Sequence, residues 1–282
     1  MKAIVLILLV LAASPTGFAQ KTEEDRKRNQ PVEPFRIIGN IYYVGVSEIT
    51  SFLIATPKGH ILLDGGFAMT APQIKANIEK LGFKLKDVKF LLNSQAHYDH
   101  AGGLAELKRL TGAKLLASEA DKILLENGGK GDFSLGDWGD YEPVKVDKTI
   151  KDGEKISLGG TTIKALITPG HTKGCTTWTL ETEENNREYK VVFVGSTTSP
   201  GYKLKGNEKY PNIVADFEKT FRVLKQLKPD IFLASHGSFF NLLDKTLELK
   251  NGKSPNPFID LDGYRKFIEN AEKEFYEKLA KE

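Results

Sequence analysis

From Phe35 onward the chain runs in short apolar bursts separated by glycine, proline and asparagine. "FRIIGNIYYVGV" and "SFLIATPKGHILLDGG" are β-branched or aromatic runs of strand length, with a tight turn at Pro57-Lys58-Gly59-His60. At Thr70 the period changes. Ile74, Ile78 and Leu81 share one helical face, Thr70 and Gln73 have the spacing of a capping box, and Pro72 suits a first turn. "VKFLLNS" is the next strand, Leu104, Leu107 and Leu110 mark a helix, "AKLLAS" is a strand, and "EADKILLE" is a short helix. The Gly- and Asp-rich "NGGKGDFSLGDWGD" is long for a connection, a length associated with function or mobility. "KISLGGTTIKALI" reads as a hairpin turning at Gly159-Gly160, and "CTTWTLE" and "YKVVFVG" as strands flanking a polar turn, "TEENNRE". An irregular segment leads to a helix at "DFEKTFRVLKQL" and a strand at "DIFLAS". Tyr264, Phe267, Ile268, Ala271, Phe275 and Leu279 form the apolar stripe of a C-terminal helix. Strands and helices mix in both halves without a simple β-α-β alternation. Two sheets covered by helices on their outer faces fit this order, in the α/β (α+β) class.

Upstream of Phe35 the pattern is different. "MKAIVLILLVLAASPTGFAQ" carries one basic residue, an apolar run from Ala3 to Ala13, a Ser14-Pro15 breaker and a small-residue end. This is the layout of a secretory signal peptide over residues 1–20. The run falls short of the ~20 apolar residues that span a bilayer, so no stable membrane anchor is expected. Residues 21–34 are charged and read as a flexible mature N-terminus, leaving residues 35–282 as a single domain. An exported, periplasmic protein is the expectation. Its lone cysteine, Cys175, permits no internal disulfide, and a chain of 282 residues can rely on its core instead. The net charge of +3, from 40 basic and 37 acidic residues, gives no strong field for nucleic acid or an anionic membrane. Nothing in the composition implies an oligomer, and a monomer is expected.

The candidate chemistry lies at strand ends. Of five histidines, four follow an apolar run by a few residues: His97 and His100 after "VKFLLNS", His171 in "TPGHT", and His236 after "DIFLAS". Ligands at the ends of several strands converge on one edge of a sheet, a rigid frame for a site. Neutral imidazole and carboxylate are zinc donors, and a catalytic zinc keeps an open position for water. Within "NSQAHYDHAGG", Gln95, His97, Asp99 and His100 fall two, two and one residue apart, with Gly102-Gly103 behind them. His60 sits at a hairpin turn and reads as structural. Asp64 ends an apolar run; it either orients a ligand from behind or closes an Asx-type turn.

Taken together, "QAHYDH", "PGHT" and "ASHGSFF" resemble the metal motifs of the metallo-β-lactamase superfamily, H-x-H-x-D-H followed by separate single histidines. The resemblance runs from "PFRIIGNIYYVG" to "ASHGSFF". It is nearest to subclass B3, and to its GOB-type pattern, in which Gln replaces the first His as Gln95 does here. "PGYKLKGNEKYP" is closer to other B3 members. The resemblance implies an αββα four-layer sandwich, the metallo-β-lactamase fold, with two metal positions at one edge of the sheets. The first would take Gln95, His97 and His171; the second Asp99, His100 and His236. A neutral amide is a weaker zinc donor than imidazole, so the first position is compromised and the second complete. One or two Zn2+ ions per chain follow.

The activity implied is zinc-dependent hydrolysis of the β-lactam amide of penicillins, cephalosporins and carbapenems, conferring antibiotic resistance, with Asp99 acting together with the zinc-activated water. Glyoxalase II-type relatives have a metal-bridging Asp where this chain has Ser196. Ser196 and Thr198 are candidates for contact with substrate carboxylate or water, or they are hydroxyls capping a loop. Phe133, Trp138 and the aromatics of "SFF" line a substrate pocket or belong to the core. The alternatives are another hydrolase on the same fold, a lactonase or thioesterase, and a zinc-binding protein without catalysis.

Overall fold

The computed structural model describes Arg26 and residues 29–282. The signal-peptide assignment, residues 1–20, lies outside the described residues. Seven strands form one sheet in chain order: β1 (Phe35–Ile38), β2 (Ile41–Tyr43), β3 (Phe52–Thr56), β4 (Gly59–Leu63), β5 (Val88–Leu92), β6 (Lys114–Ser118) and β7 (Lys148–Ile150). The pairs from β1 to β4 are antiparallel and those from β4 to β7 parallel. The second sheet is ordered β12-β11-β10-β9-β8, from β8 (Lys155–Leu158), β9 (Thr161–Ile167), β10 (Thr176–Glu184), β11 (Arg187–Val194) and β12 (Ile231–Ala234). The helices are α1 (Ala71–Lys80), α2 (Tyr98–Ala101), α3 (Leu104–Thr111), α4 (Glu119–Glu126), α5 (Ile213–Gln226), α6 (Leu242–Lys250) and α7 (Leu261–Lys281).

The strand period explains the continuous apolar runs. Successive side chains point to opposite faces, so a strand buried on both sides has no polar alternation. Leu53, Leu62, Leu91 and Leu115 join Ile74 and Ile78 of α1 and Leu104 and Leu107 of α3 in a layer outside the first sheet. Their neighbours Phe52, Ile54, Ile61, Leu63, Leu92 and Leu116 face the other way, into the core shared with Trp178, Leu180 and Phe193 of the second sheet. Phe217 and Phe221 of α5 and Tyr264, Ile268 and Phe275 of α7 cover the far side of that sheet. The result is the αββα sandwich. Among the described residues no helix is long and apolar enough to cross a membrane.

Four local details depart from the sequence reading. Thr70 precedes α1, but its hydroxyl donates to the Phe67 carbonyl at 3.0 Å and Gln73 bonds Asn77, so no capping box forms. Strands β10 and β11 run through most of the polar "TEENNRE", leaving only Asn185-Asn186, both with positive φ, as the turn. Strand β7 and helix α6 carried no clear pattern. Finally, the backbone is tied down before Phe35: Gln30 and Ser47 are bonded through their backbones, Pro31 bridges Val46, and Asn29 accepts from the Ile49 amide. The described part of the 21–34 segment is therefore docked on the 44–51 loop.

Candidate metal centre

The two sheets meet at the end of β5. The Thr176 amide donates to the Ser94 carbonyl at 2.7 Å, and Trp178 Nε1 donates to the Asn93 carbonyl at 3.2 Å. This fixes the loop that carries Gln95, His97, Asp99 and His100. On its other side two glycine pairs let backbones pass close. The Gly65 amide donates to the His100 carbonyl at 2.9 Å and Gly103 to Gly66 at 3.0 Å, while a Cβ at Gly103 would stand 2.2 Å from the Gly65 oxygen. "DGG" and "AGG" are thus one contact, and it brings Asp64 behind His100. Asp64 itself holds a left-handed φ of 63°, a conformation that aspartate tolerates better than most residues. Its carboxylate accepts from the Ser94 amide and hydroxyl.

Asp99, His100 and His236 come together: one ligand atom from each lies within 4.8 Å of the others. Asp99 Oδ2 is 3.3 Å from His100 Nε2 and 3.8 Å from His236 Nε2, and the two Nε2 atoms are 3.2 Å apart. Zinc at about 2.0–2.2 Å from tetrahedral donors would separate them by roughly 3.3–3.6 Å, so the cluster matches that size. His97 and His171 form a second pair, with Nδ1 of one 3.1 Å from Nε2 of the other. Gln95, two residues before His97, is wholly buried, and neither end of its amide has a hydrogen-bond partner. His60 stands apart, buried against Phe83.

The outward-facing nitrogens decide what the inward-facing ones can do. His171 Nδ1 lies 2.7 Å from the Thr198 carbonyl and must donate to it. His236 Nδ1 faces Glu48 Oε1 at 3.2 Å, and His100 Nδ1 faces Asp64 Oδ2 at 3.6 Å. Each ring with its proton turned outward presents a lone pair inward. Nε2 of His100, Nε2 of His236 and the Asp99 carboxylate then converge as acceptors, an arrangement that repels unless a cation sits among them. In the metal-free protein a proton on His100 takes the place of that cation. Burial works against charge on His100, yet Asp99 and Asp64 outweigh it and lift its pKa to about 10. Burial would raise the Asp99 carboxyl, but His100 and His236 hold it far below the ordinary range. His171 is the opposite case: burial and the nearby His97 lower it to about 3, leaving it neutral. The buried amide without partners, the convergent lone pairs and the carboxylate all fit a zinc ion.

Ser196 and Thr198 lie beside His171. The Ser196 hydroxyl is buried and bonded to that of Thr198 at 3.2 Å, so it stands behind Thr198 instead of facing open space. Thr198 borders a groove of about 510 Å³ whose walls include Phe239, Phe267 and Phe275. Of the pocket candidates, Trp138 is exposed and meets Tyr98 edge-on, while Phe133 is wedged between Tyr202 and Tyr210. Two carboxylates around the histidines went unmarked in the sequence: Glu48, in the 44–51 loop, and Asp132, whose Oδ2 lies 3.5 Å from His97 Nε2. Neither has a motif. The only signal for Asp132 was the length of its loop.

The profile of the Metallo-beta-lactamase superfamily matches residues 44–236. Among solved structures, the chain is similar to the FEZ-1 metallo-β-lactamase of Legionella gormanii, at 43% identity over 90% of this chain and 97% of that one, with a TM-score of 0.88. It is similar to GOB-18 of Elizabethkingia meningoseptica at 42% identity over 94% and 98%, TM-score 0.87. For BJP-1, a subclass B3 metallo-β-lactamase of Bradyrhizobium japonicum, the identity is 39% over 91% and 97%, TM-score 0.85. Curated relatives, the hydroxyacylglutathione hydrolases of Brucella species, match at 27% over 158 residues; the match spans about half (51%) of their length. Agreement that extends through both sheets and nearly the whole of the solved chains goes well beyond the shared motif: the chain belongs to the metallo-β-lactamase superfamily and groups within it with the subclass B3 enzymes.

Proposed function

We propose that this protein is an exported, periplasmic zinc-dependent β-lactamase that opens the amide of penicillins, cephalosporins and carbapenems and so confers resistance. One observation carries the reading: three buried or half-buried donors, Asp99, His100 and His236, converge in a chain about 40% identical to solved metallo-β-lactamases over nearly their whole length. Asp99, His100 and His236 would hold the tightly bound zinc. His97, His171 and Gln95 would hold a second ion weakly.

Zinc, when bound, supplies a hydroxide nucleophile at neutral pH and positive charge where the leaving ring nitrogen turns negative. The chain's own groups do the rest. Asp99, held anionic, serves as a ligand and acceptor and keeps no proton of its own. Glu48 and Asp64 fix the proton-bearing nitrogens of His236 and His100, and the Thr198 carbonyl does the same for His171. Such preorganisation leaves little to rearrange as charge develops. Thr198 would meet a substrate carboxylate, and the Ser196 hydroxyl bonded to its own supports that reading. The groove walled by Phe239, Phe267 and Phe275 can take the substrate's apolar substituent.

The resemblance to hydroxyacylglutathione hydrolases supports a second reading, thioester hydrolysis, against which Ser196 stands in place of the bridging Asp. Zinc-loaded protein assayed on a penicillin, a cephalosporin, a carbapenem, a glutathione thioester and a lactone separates the two. Turnover of β-lactams is expected. Thioester or lactone turnover without β-lactam turnover would overturn the proposal, and turnover of none, with zinc bound, would leave a zinc-binding protein.

A further inference from the structure

The loop between α4 and β7 meets the metal motif at three successive residues. Tyr141 Oη donates to the Ala96 carbonyl at 2.7 Å, Trp138 lies edge-on to Tyr98 at 5.4 Å, and between them Asp132 Oδ2 stands 3.5 Å from His97 Nε2. Asp132 is 2% exposed in a loop that is otherwise largely exposed or half-buried. Its Oδ1 accepts from the Ser134 and Leu135 amides at 2.8 and 2.7 Å, and its backbone exchanges hydrogen bonds with Gly136. These bonds fix the carboxylate and leave Oδ2 as a buried acceptor with no conventional partner. His97 Nε2 is a buried nitrogen in the same condition. Each is the other's nearest match. Burial would raise the Asp132 carboxyl, but His97 and the two amides outweigh it and hold it below the usual range.

We propose that Asp132 is a positioning residue for His97: by accepting from Nε2–H it turns the Nδ1 lone pair toward His171, and so sets the metal affinity of the first position. The inference rests on the reading of these histidines as ligands given under Proposed function. It assigns the loop a specific task. With Gln95 in place of a stronger donor, His97 and His171 must carry the first position, and among the described residues Asp132 is the carboxylate that faces His97 Nε2. Phe133, next in the chain, packs on Tyr202, whose hydroxyl donates to the His171 carbonyl at 2.9 Å. The loop therefore supports both histidines of the first position. Asp99, His100 and His236 are supported elsewhere, by Asp64 and Glu48.

Asp132→Asn tests this with little change of shape. If its oxygen keeps the Ser134 and Leu135 amides, its NH2 faces His97 Nε2 and favours the other tautomer. If it flips, NH2 faces two amide donors. Zinc affinities of the two positions, from competition with a chromophoric chelator, should show the weaker step lowered about 10–100-fold, the range for carboxylates behind metal-bound histidines, with the tighter step unchanged. Asp137→Asn, on the exposed part of the same loop, is the control and should change neither. In parallel, imidazole 15N NMR of zinc-free wild type should find His97 protonated at Nε2. That measurement needs neither a variant, nor a second bound zinc, nor β-lactam turnover, so failure here is distinct from failure of the proposed activity. A His97 protonated at Nδ1 in wild type, or both zinc steps weakened alike in Asp132→Asn, or neither weakened, would overturn the assignment.

Discussion

The two trios of proposed metal donors are built on different principles. Asp99, His100 and His236 form a charged set, with a carboxylate among the donors and two more, Asp64 and Glu48, behind the rings. The residues proposed for the first position, Gln95, His97 and His171, are neutral donors: an amide without hydrogen-bond partners, a histidine with Asp132 at 3.5 Å and a histidine held by a backbone carbonyl. A divalent cation gains more from the first arrangement than the second, because a carboxylate brings charge as well as a lone pair. In the proposed site, Gln95 therefore stands in the half that is electrostatically poorer. A neutral amide at position 95 is thus compatible with the zinc-dependent activity proposed above.

The sharpest way to break this comparison is to remove the charged donor. Asp99→Asn should abolish tight zinc binding and lower β-lactam turnover at least about a hundredfold, more than losing a group behind a ligand does. His171→Ala should cost less. Steady-state rates at fixed free zinc decide it, and the reverse ranking would mean that the neutral set carries the chemistry.

Proton release gives a smaller but cleaner contrast. With a pKa of about 10, His100 is protonated in the metal-free protein at pH 7, so zinc must displace about one proton there. His171, at about 3, has none to give. Calorimetric zinc titrations in buffers of different ionisation enthalpy should show release with the first, tight equivalent and little from His171 with the second. Equal release in both steps would contradict the assignment.

A third contrast concerns the floor under the His171 loop. Asp121 is buried, accepting from Thr172 Oγ1 and the Gly174 amide, and burial raises its pKa from 3.8 to about 6. Between those values the folded protein holds a proton that the unfolded chain has released, so stability falls as pH rises through this window, by on the order of 3 kcal/mol. In zinc-free protein, denaturation midpoints measured from pH 4 to 7 should decline less in Asp121→Asn than in wild type. Parallel curves would show that Asp121 does not titrate there.

Much of this was legible in the sequence because the sheets bury both faces. Runs such as "SFLIAT" and "FLLN" are strands whose alternate residues serve two different layers, and the second of them leads into the proposed metal donors. Helix α6 was not legible because its pattern is inverted: Leu243 and Leu247 are exposed, while Lys245 is buried against Asp260 at 2.5 Å. Strand β7 is three residues long with an exposed lysine, too little for a period. The proposed donors stood out by spacing, but the carboxylates behind them did not. Glu48 and His236 are 188 residues apart in the chain, and only the docking of the 44–51 loop on the end of β12 joins them.

The inequality of the two positions is the central claim, and stepwise zinc affinity in wild type and Gln95→His tests it most directly. Wild type should bind two equivalents with clearly separated affinities. Gln95→His should tighten the weaker step by tenfold or more, about 1.4 kcal/mol or greater, and leave the tighter step where it was. Two equal steps in wild type, or a Gln95→His variant whose weaker step does not move at any zinc concentration, would contradict it.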